Sequence, residues 1–386
     1  MANYSLGIKD FDKFYDLYLY SFNREDSEQK KNALHTRYEH SLVYGIMNGD
    51  KLGSGLFSIP FTVDFHGVNY HMNGIGDVMS APEFAGKGGA GKLINAAMKD
   101  MYKNNVTLSY LAPFSYEFYR QFGYEHVFDH VLMEIPSDKW THIKAPKVGH
   151  VERVSLSEVP VQARKLYDNH NSLGGVNRED WWWDHMAYKH SDWFAALYYE
   201  DDDNLGGYLF YSKEGDTLKI HEWVTKDPNS YRALASFVTK HSSTFDKFVY
   251  ESDDSEVKTD LLDEPKIADV RTVPYMSARI VNLKSFVMKY PFIKYNLDPI
   301  VIEVTDSLKW NNHHWRLSIK NGDVKFEKTQ EPGTIQITIE TLTKAMFGTR
   351  QLDSLAHYGA VNGDAVSIDR LSHALVSEKP QLRDYF

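Results

Sequence analysis

The sequence predicts a mixed α/β (α+β) protein of about three domains, and three observations carry that prediction. The chain has 386 residues, and at ~150 residues per domain that length makes two or three domains. A block of strand-like alternation over residues 40–81 is followed by helical spacing over 89–101, and a coarser copy of that order recurs over 206–241. The last third reads as short strands from Ile300 to Ile339, then helical patterns from Thr341. Apolar residues at 42% and charged residues at 25% fit a folded chain rather than a disordered one.

In chain order, Ile8–Phe22 places apolar groups at helical spacing, and 40–81 reads as strands broken by Gly and by pairs such as Asn48-Gly49. Ala90, Leu93, Ile94, Ala97, Met98 and Met101 share one helical face, and Val106–Ala112 is a short buried strand. Tyr124–Ile135 alternates. Residues 136–149, with two prolines and little periodicity, mark the first boundary. Strands at Gly206–Ser212 and Leu218–Thr225 and a helix over Tyr231–His241 follow, then a second linker over Thr259–Tyr275. Strands at Ile300–Asp306, Trp315–Lys320, Val324–Lys328 and Thr334–Ile339 form a meander. The expected domains are 1–140, 141–275 and 276–386.

Composition excludes several chemistries. With no cysteine, disulfides, thiolate zinc sites and cysteine nucleophiles are absent. The 43 Lys+Arg against 53 Asp+Glu leave a net charge of −10, which argues against non-specific nucleic-acid binding and against docking on an anionic membrane. A cationic small molecule is easier to attract, although the same charge also serves solubility. Met1–Lys13 lacks a basic start and a signal-length apolar run, and no stretch approaches the ~18 apolar residues of a membrane span. A cytoplasmic protein is expected.

The densest chemical signal is Pro82–Lys92, a glycine-rich loop between the strand Gly74–Ser80 and the helix that follows. Glycines let backbone approach a ligand, and free amides at a helix start bind phosphate; Lys87 and Lys92 add charge. Gly86, Gly88 and Gly91 formally satisfy GxGxxG, but no acidic residue stands between Met101 and Tyr116 to hold a ribose, and no Lys-Ser/Thr pair closes a P-loop. The bland alternative is a turn that merely joins strand to helix.

On these residues the chain resembles the GNAT acetyltransferases, and more narrowly the Eis (enhanced intracellular survival) family. That family's acyl-CoA loop, Arg/Gln-x-x-Gly-x-Gly/Ala, is met by Ala85, Gly86, Lys87, Gly88, Gly89 and Ala90, with Ala85 in place of the usual Arg or Gln. Phe118–Tyr124 is similar to its Tyr-x-x-Phe-Gly-Tyr segment, whose first tyrosine is the proposed general acid; here that is Tyr119. Lys379–Phe386 resembles its terminus, where the last residue's carboxylate reaches the active site, and 277–292 and 341–364 look like its sterol-carrier-protein-type domain. The resemblance implies two tandem GNAT-like domains, the second degenerate, followed by a sterol-carrier-like α+β domain. It also implies acetyl-CoA as co-substrate, held by Val78, Met79, Ser80 and the loop Ala85–Ala90, an acceptor such as an aminoglycoside, and a hexamer.

Acyl transfer from a thioester to an amine needs an unprotonated amine, a stabilised oxyanion and a proton for the departing thiolate. Tyr119 supplies the last, a phenol having an ordinary pKa of about 10. The Phe386 carboxylate acts as base or, since its ordinary pKa of about 3.3–3.7 is low for one, orients the amine. Direct attack needs no enzyme thiol. Other features read as structural. His126 and His130 lie on an alternating strand and are expected to be solvated; His313-His314 lack a nearby carboxylate in sequence; at least two of Trp181, Trp182 and Trp183 belong to a core; Asp201–Asp203 is a hairpin acid cluster; and no Gly-x-Ser-x-Gly elbow exists. No metal site is expected. Residues 225–230 carry no glycine loop, so one acyl-CoA site per chain follows. The reading is an N-acetyltransferase acting on a primary amine of a cationic acceptor, aminoglycoside-like, polyamine or lysine side chain. Its rivals are a non-catalytic hydrophobic-ligand-binding protein with a vestigial GNAT module, and a transferase of longer acyl chains.

Overall fold

A computed structural model describes residues 4–140, 143–254, 259 and 262–386. Contacts divide the chain into two compact units: Met1–Phe128, Leu173–Val176 and Tyr275–Phe386 form one, and Asp129–Ser172 with Asn177–Pro274 the other. The boundary expected at 140/141 falls beside residues 141 and 142, which lie outside the described residues.

Two helices open the first unit, α1 (Phe11–Ser21) and α2 (Glu28–Glu39); Ser27 caps α2, its hydroxyl accepting from the Lys30 amide. Strands β1 (Leu42–Asn48), β2 (Lys51–Phe65) and β3 (Val68–Ser80) pair antiparallel in sequence order. Helix α3 (Gly89–Lys103) then carries the chain to β4 (Leu108–Leu111), parallel to β3. Strand alternation sorts the faces of β2. Leu56 joins the core cluster of Leu93, Ile94, Ala97 and Met98 from α3, whereas its neighbour Phe57 meets Phe14 of α1 and Tyr38 of α2. Helix α4 (Tyr116–Arg120) and β5 (Glu125–Pro136) follow, β5 leaving this unit after Phe128.

The middle of the chain holds β6 (His150–Ser155), α5 (Val161–Asp168), β7 (Leu173–Asn177), α6 (Asp180–Lys189), β8 (Phe194–Tyr199), β9 (Leu205–Glu214), β10 (Thr217–Thr225), α7 (Pro228–Thr239), β11 (Lys247–Ser252) and β12 (Asp269–Ile280). In the second unit the antiparallel hairpin β9–β10 leads through α7 into β11, which runs parallel to β10. The first unit repeats this scheme with β2–β3, α3 and β4, so the faint internal repeat is a repeat of topology. Trp182 and Trp183 are buried in the second unit, as expected, and Arg178 and Glu222 form a buried ion pair there at 2.8 Å.

The linker expected over 259–275 is partly wrong: residues 260 and 261 lie outside the described residues, and from Asp269 the chain is strand β12. Ser277–Ile280 pair antiparallel with β4 in the first unit. That partner lies far upstream, and local periodicity carries no trace of it.

The C-terminal part of the first unit comprises α8 (Leu283–Lys289), β13 (Leu297–Thr305), β14 (His314–Lys320), β15 (Asp323–Lys328), β16 (Ile335–Thr338), α9 (Ile339–Met346), α10 (Leu352–His357), β17 (Asn362–Gly363) and α11 (Ala365–Ser372). Its sheet runs β15-β14-β13-β16-β17, with β16 returning parallel to β13 rather than completing a meander. Beyond α11 the chain runs without regular structure toward β3. The Gln381 amide donates to the Leu173 carbonyl at 2.9 Å, and the Tyr275 hydroxyl to the Arg383 carbonyl at 3.3 Å.

Candidate active site

The site begins where β3 and β4 part. Their parallel pairing ends at Ile75 opposite Leu111, where β4 stops, while β3 continues to Ser80. Along β2 and β3 the register slips between Gly55 and Phe57, which face Met79 and Gly76, so β3 carries an extra residue in a bulge at Asp77 and Val78. Asp77 sits in the left-handed region, with φ +47, a costly conformation for a residue with a side chain. Past the bulge Val78 and Ser80 are half-buried, on the stretch of β3 that runs beyond the end of β4. Met79 turns its side chain into the core, and the Ser80 hydroxyl pairs with Ser54 at 2.7 Å.

Glycines then position the helix start. Gly86 and Gly88 have φ +75 and +74, with open space where a Cβ would stand, so backbone conformation alone requires them. Gly89 is required for close approach, since a Cβ there would lie 2.2 Å from the Ser54 hydroxyl. Gly88 is the N-cap of α3, and no side chain caps the helix; its first amides are left for an anion. In α7, the equivalent helix of the second unit, Asp227 fills that role by accepting from the Asn229 and Ser230 amides at 2.9 Å each. A helix start occupied by its own carboxylate has no room for phosphate. Ala85 is exposed and offers no polar side chain, while the Lys87 ammonium lies over the Phe84 ring at 5.2 Å.

Tyr119 lies on α4, whose start is capped by Ser115 accepting from the Phe118 amide. It is 3% exposed, and burial pushes its phenol well above the ordinary range, with Tyr124 and Tyr385 pushing the same way. The phenol is therefore protonated wherever the protein is folded at ordinary pH. Phe114, Phe118 and Phe122 surround this segment, and Phe122 reaches α3, where a Cβ on Gly91 would lie 3.2 Å from its ring. Gly123, at φ +81, leaves the space that the Arg279 guanidinium fills while donating to the Phe122 carbonyl. Arg279 is fully buried and pairs with Asp306 at 2.7 Å.

Phe386 completes the constellation. Its ring is 4% exposed and lies 5.5 Å from the Phe61 ring, over Gly74, where a Cβ would come within 2.6 Å of it. A Cβ on Gly76 would lie 3.2 Å from the Phe386 carboxyl carbon and 2.7 Å from Arg37 Nη2. Arg37, buried on α2, reaches Asp77 at 3.3 Å and covers the Phe57 ring. The first unit thus places the bulge, the uncapped loop and helix, Tyr119 and Phe386 around the parting of β3 and β4. The arrangement presents amides, a protonated phenol and a carboxyl group.

Models of known families match in three places: an acetyltransferase (GNAT) domain over residues 5–127, a second acetyltransferase (GNAT) domain over 174–280, and a sterol carrier protein domain over 283–383. Over 99% of both chains the structure is similar to a probable N-acyltransferase from Enterococcus faecalis, at 34% identity and TM-score 0.94. The chain belongs to the GNAT acetyltransferases. It is an enzyme of tandem GNAT domains with a C-terminal sterol-carrier-type domain. A GCN5-related N-acetyltransferase from Anabaena variabilis (23% identity, 99% of both chains, TM-score 0.88) and Eis1 from Mycobacterium abscessus (17% identity, 100% of this chain and 99% of that one, TM-score 0.81) share the fold. No protein of curated function matches the sequence.

One histidine reading needs correction. His130 is not solvated: it is 5% exposed, with Nδ1 3.1 Å from Glu251, because β5 pairs with β11 and brings the carboxylate alongside. His314, with no carboxylate close in sequence, meets one in space: Glu303 at 3.8 Å, directly across the β13–β14 ladder. Among the described residues no group of three or more His, Asp or Glu side chains is placed to hold a metal, and no helix is long and apolar enough to cross a membrane. Sequence reasoning missed Arg37, Asp77, Arg279 and Asp306. Nothing local marks the first two, whereas Gly123 beside an aromatic segment was a signal that a bulky group approaches there.

Proposed function

We propose that the enzyme moves an acetyl group from acetyl-CoA to a primary amine of a small cationic acceptor, in the manner of the Eis proteins. The observation that carries the reading is the seating of Phe386 on β3, with its carboxyl carbon beside Gly76, next to the bulge. Amides of Val78–Ser80 would hold the acyl carbonyl and the pantetheine arm, and the loop Ala85–Ala90 with the start of α3 would hold the pyrophosphate. The uncapped Gly88 and the close fit of Gly89 against Ser54 suit that role. The amine attacks directly; Tyr119 donates to the departing thiolate, and the Phe386 carboxylate receives the amine end of the acceptor. The same resemblance supports a homo-oligomer.

One observation weighs against the hydrophobic-carrier reading. The apolar cavity among Val287, Ile302, Leu317, Phe326, Leu342 and Leu371 of the sterol-carrier-type domain measures about 10 Å³, at the bottom of what one water needs and far below a lipid. The test is thiol release from acetyl-CoA with a panel of aminoglycosides, polyamines and simple amines, on intact protein, Tyr119→Phe and a chain lacking Phe386. Amine-dependent release that falls in both variants is expected. Absence of release with every amine, together with tight lipid binding, would reverse the assignment, and competition among acyl-CoA chain lengths tests the donor.

A further inference from the structure

A groove of about 810 Å³ runs along α3 from Lys92 to Asn104, starting one turn past the uncapped Gly88. Spaces of this size hold small ligands. Part of its wall is apolar, made by Tyr4, Ala96 and Leu42, the last of which is 48% exposed. The rest is basic: Lys92 and Lys99 stand exposed two turns apart on one helix face, with Lys103 a turn farther on. Asp100 is the one carboxylate lining the groove, and it is already held, by Lys103 at 3.7 Å and by the Tyr44 hydroxyl at 3.1 Å. Among the described residues Lys92 and Lys99 form no ion pair. Of the three lysines, the one neutralised is therefore the one farthest from the glycine-rich loop. Lys92 also stands in the first turn of α3, where no acidic residue accompanies it and the helix dipole disfavours a cation. A bound anion relieves that conflict, and it would sit on a chain whose net charge is −10.

We propose that this groove seats the 3′-phosphoadenosine end of CoA, with Lys92 and Lys99 reading the 3′-phosphate, so that the enzyme distinguishes acetyl-CoA from the same thioester without that phosphate. The inference rests on the acetyl-CoA reading above, in which the pyrophosphate lies at the start of α3. In CoA a single ribose separates the pyrophosphate from the 3′-phosphate, and the same ribose carries the adenine. Lys92 lies about 5 Å along the helix axis from its start, and Lys99 about 10 Å farther. Flexible four-carbon stems let both ammonium groups close on one phosphate. A phosphate monoester carries about −1.5 to −2 charges at neutral pH, which two free lysines match. The adenine ring then lies against Tyr4, Leu42 and Ala96, the apolar part of the wall. No bond is made or broken in the groove; its contribution is affinity for the donor and selection among donors.

The test is calorimetric binding of CoA and of dephospho-CoA, which lacks only the 3′-phosphate, to the full chain. In the wild type CoA should bind about ten- to a hundredfold more tightly, the scale of hydrogen bonds to a charged group, and the gap should narrow as salt is raised. In the double variant Lys92→Met with Lys99→Met the two Kd values should converge, whereas Lys103→Met should keep them apart. Equal binding of the two compounds by the wild type overturns the proposal and leaves the acetyl-CoA reading standing, and a gap that survives in the double variant does the same. If the double variant does not fold, Lys99→Glu decides. Reversing that exposed charge should weaken CoA more than dephospho-CoA, and an equal effect on both counts against the groove. A wild type that binds neither compound defeats the acetyl-CoA reading itself, and this inference with it.

Discussion

Gly74→Ala probes the seat of the terminal residue. The added methyl carbon would stand 2.6, 2.7 and 3.0 Å from Cδ2, Cε2 and Cγ of the Phe386 ring. Carbon contacts are comfortable only from about 3.5 Å, so the ring must retreat by roughly 1 Å or leave. Leaving forfeits the burial of one phenylalanine, about 1.5–3 kcal/mol, and the loss is local because Phe386 lies at the end of a segment without regular structure. A displacement of 1 Å in a group that positions a reactant costs about a hundredfold in rate. Steady-state thiol release should therefore fall by one to two orders of magnitude in kcat/KM for the amine, with the acetyl-CoA KM and the melting temperature near wild type, while carboxypeptidase removes the terminus faster. Gly7→Ala, where the methyl meets open space, is the control. If Gly74→Ala turns over normally while its terminus is demonstrably displaced, the reasoning is refuted.

Four further outcomes follow from the geometry. Tyr119→Phe should lower kcat by about 10²–10⁴-fold, the usual worth of a positioned general acid, with little change in the acetyl-CoA KM, read by the same assay. Gly88→Ala places a Cβ at φ +74, a strain of about 1–2 kcal/mol, and should raise the acetyl-CoA KM without altering the amine dependence. Asp306→Asn halves a fully buried ion pair, so unfolding stability should drop by about 3–5 kcal/mol, and kcat should fall because Arg279 holds the Phe122 carbonyl. Glu251 is held down to about 2 by its hydrogen bond from His130 and by Lys219. Its folded value is depressed, so the stabilisation of ~3 kcal/mol is present above pH ~4.5 and is lost as pH falls toward 2; acid titration of stability should flatten in Glu251→Gln.

The parts of this fold that sequence discloses are those whose cause is local. Helix α3 follows from Leu93, Ile94, Ala97 and Met98 at helical spacing, and the loop before it from glycines at 86 and 88 that only a left-handed backbone requires. The contrast between the two helix starts was also readable, because Asp227 is a capping residue and Gly88 is not. What stays hidden depends on distant chain. Ser277–Ile280 form a strand beside β4, His130 is buried beside Glu251, and Arg37 comes from α2 to meet Asp77. The bulge is hidden for a different reason: one extra residue in β3 changes register against β2 without disturbing the alternation that marks a strand.

The central claim is that an amine and an acetyl thioester meet between the β3 bulge, Tyr119 and Phe386. The most direct measurement follows thiol release and acetylated product together in one reaction of the intact protein with acetyl-CoA and a polyamine. One acetylated amine per thiol, saturating in amine and strongly reduced when Phe386 is removed, is the predicted result. Thiol release that is independent of amine, or full turnover without Phe386, would contradict it.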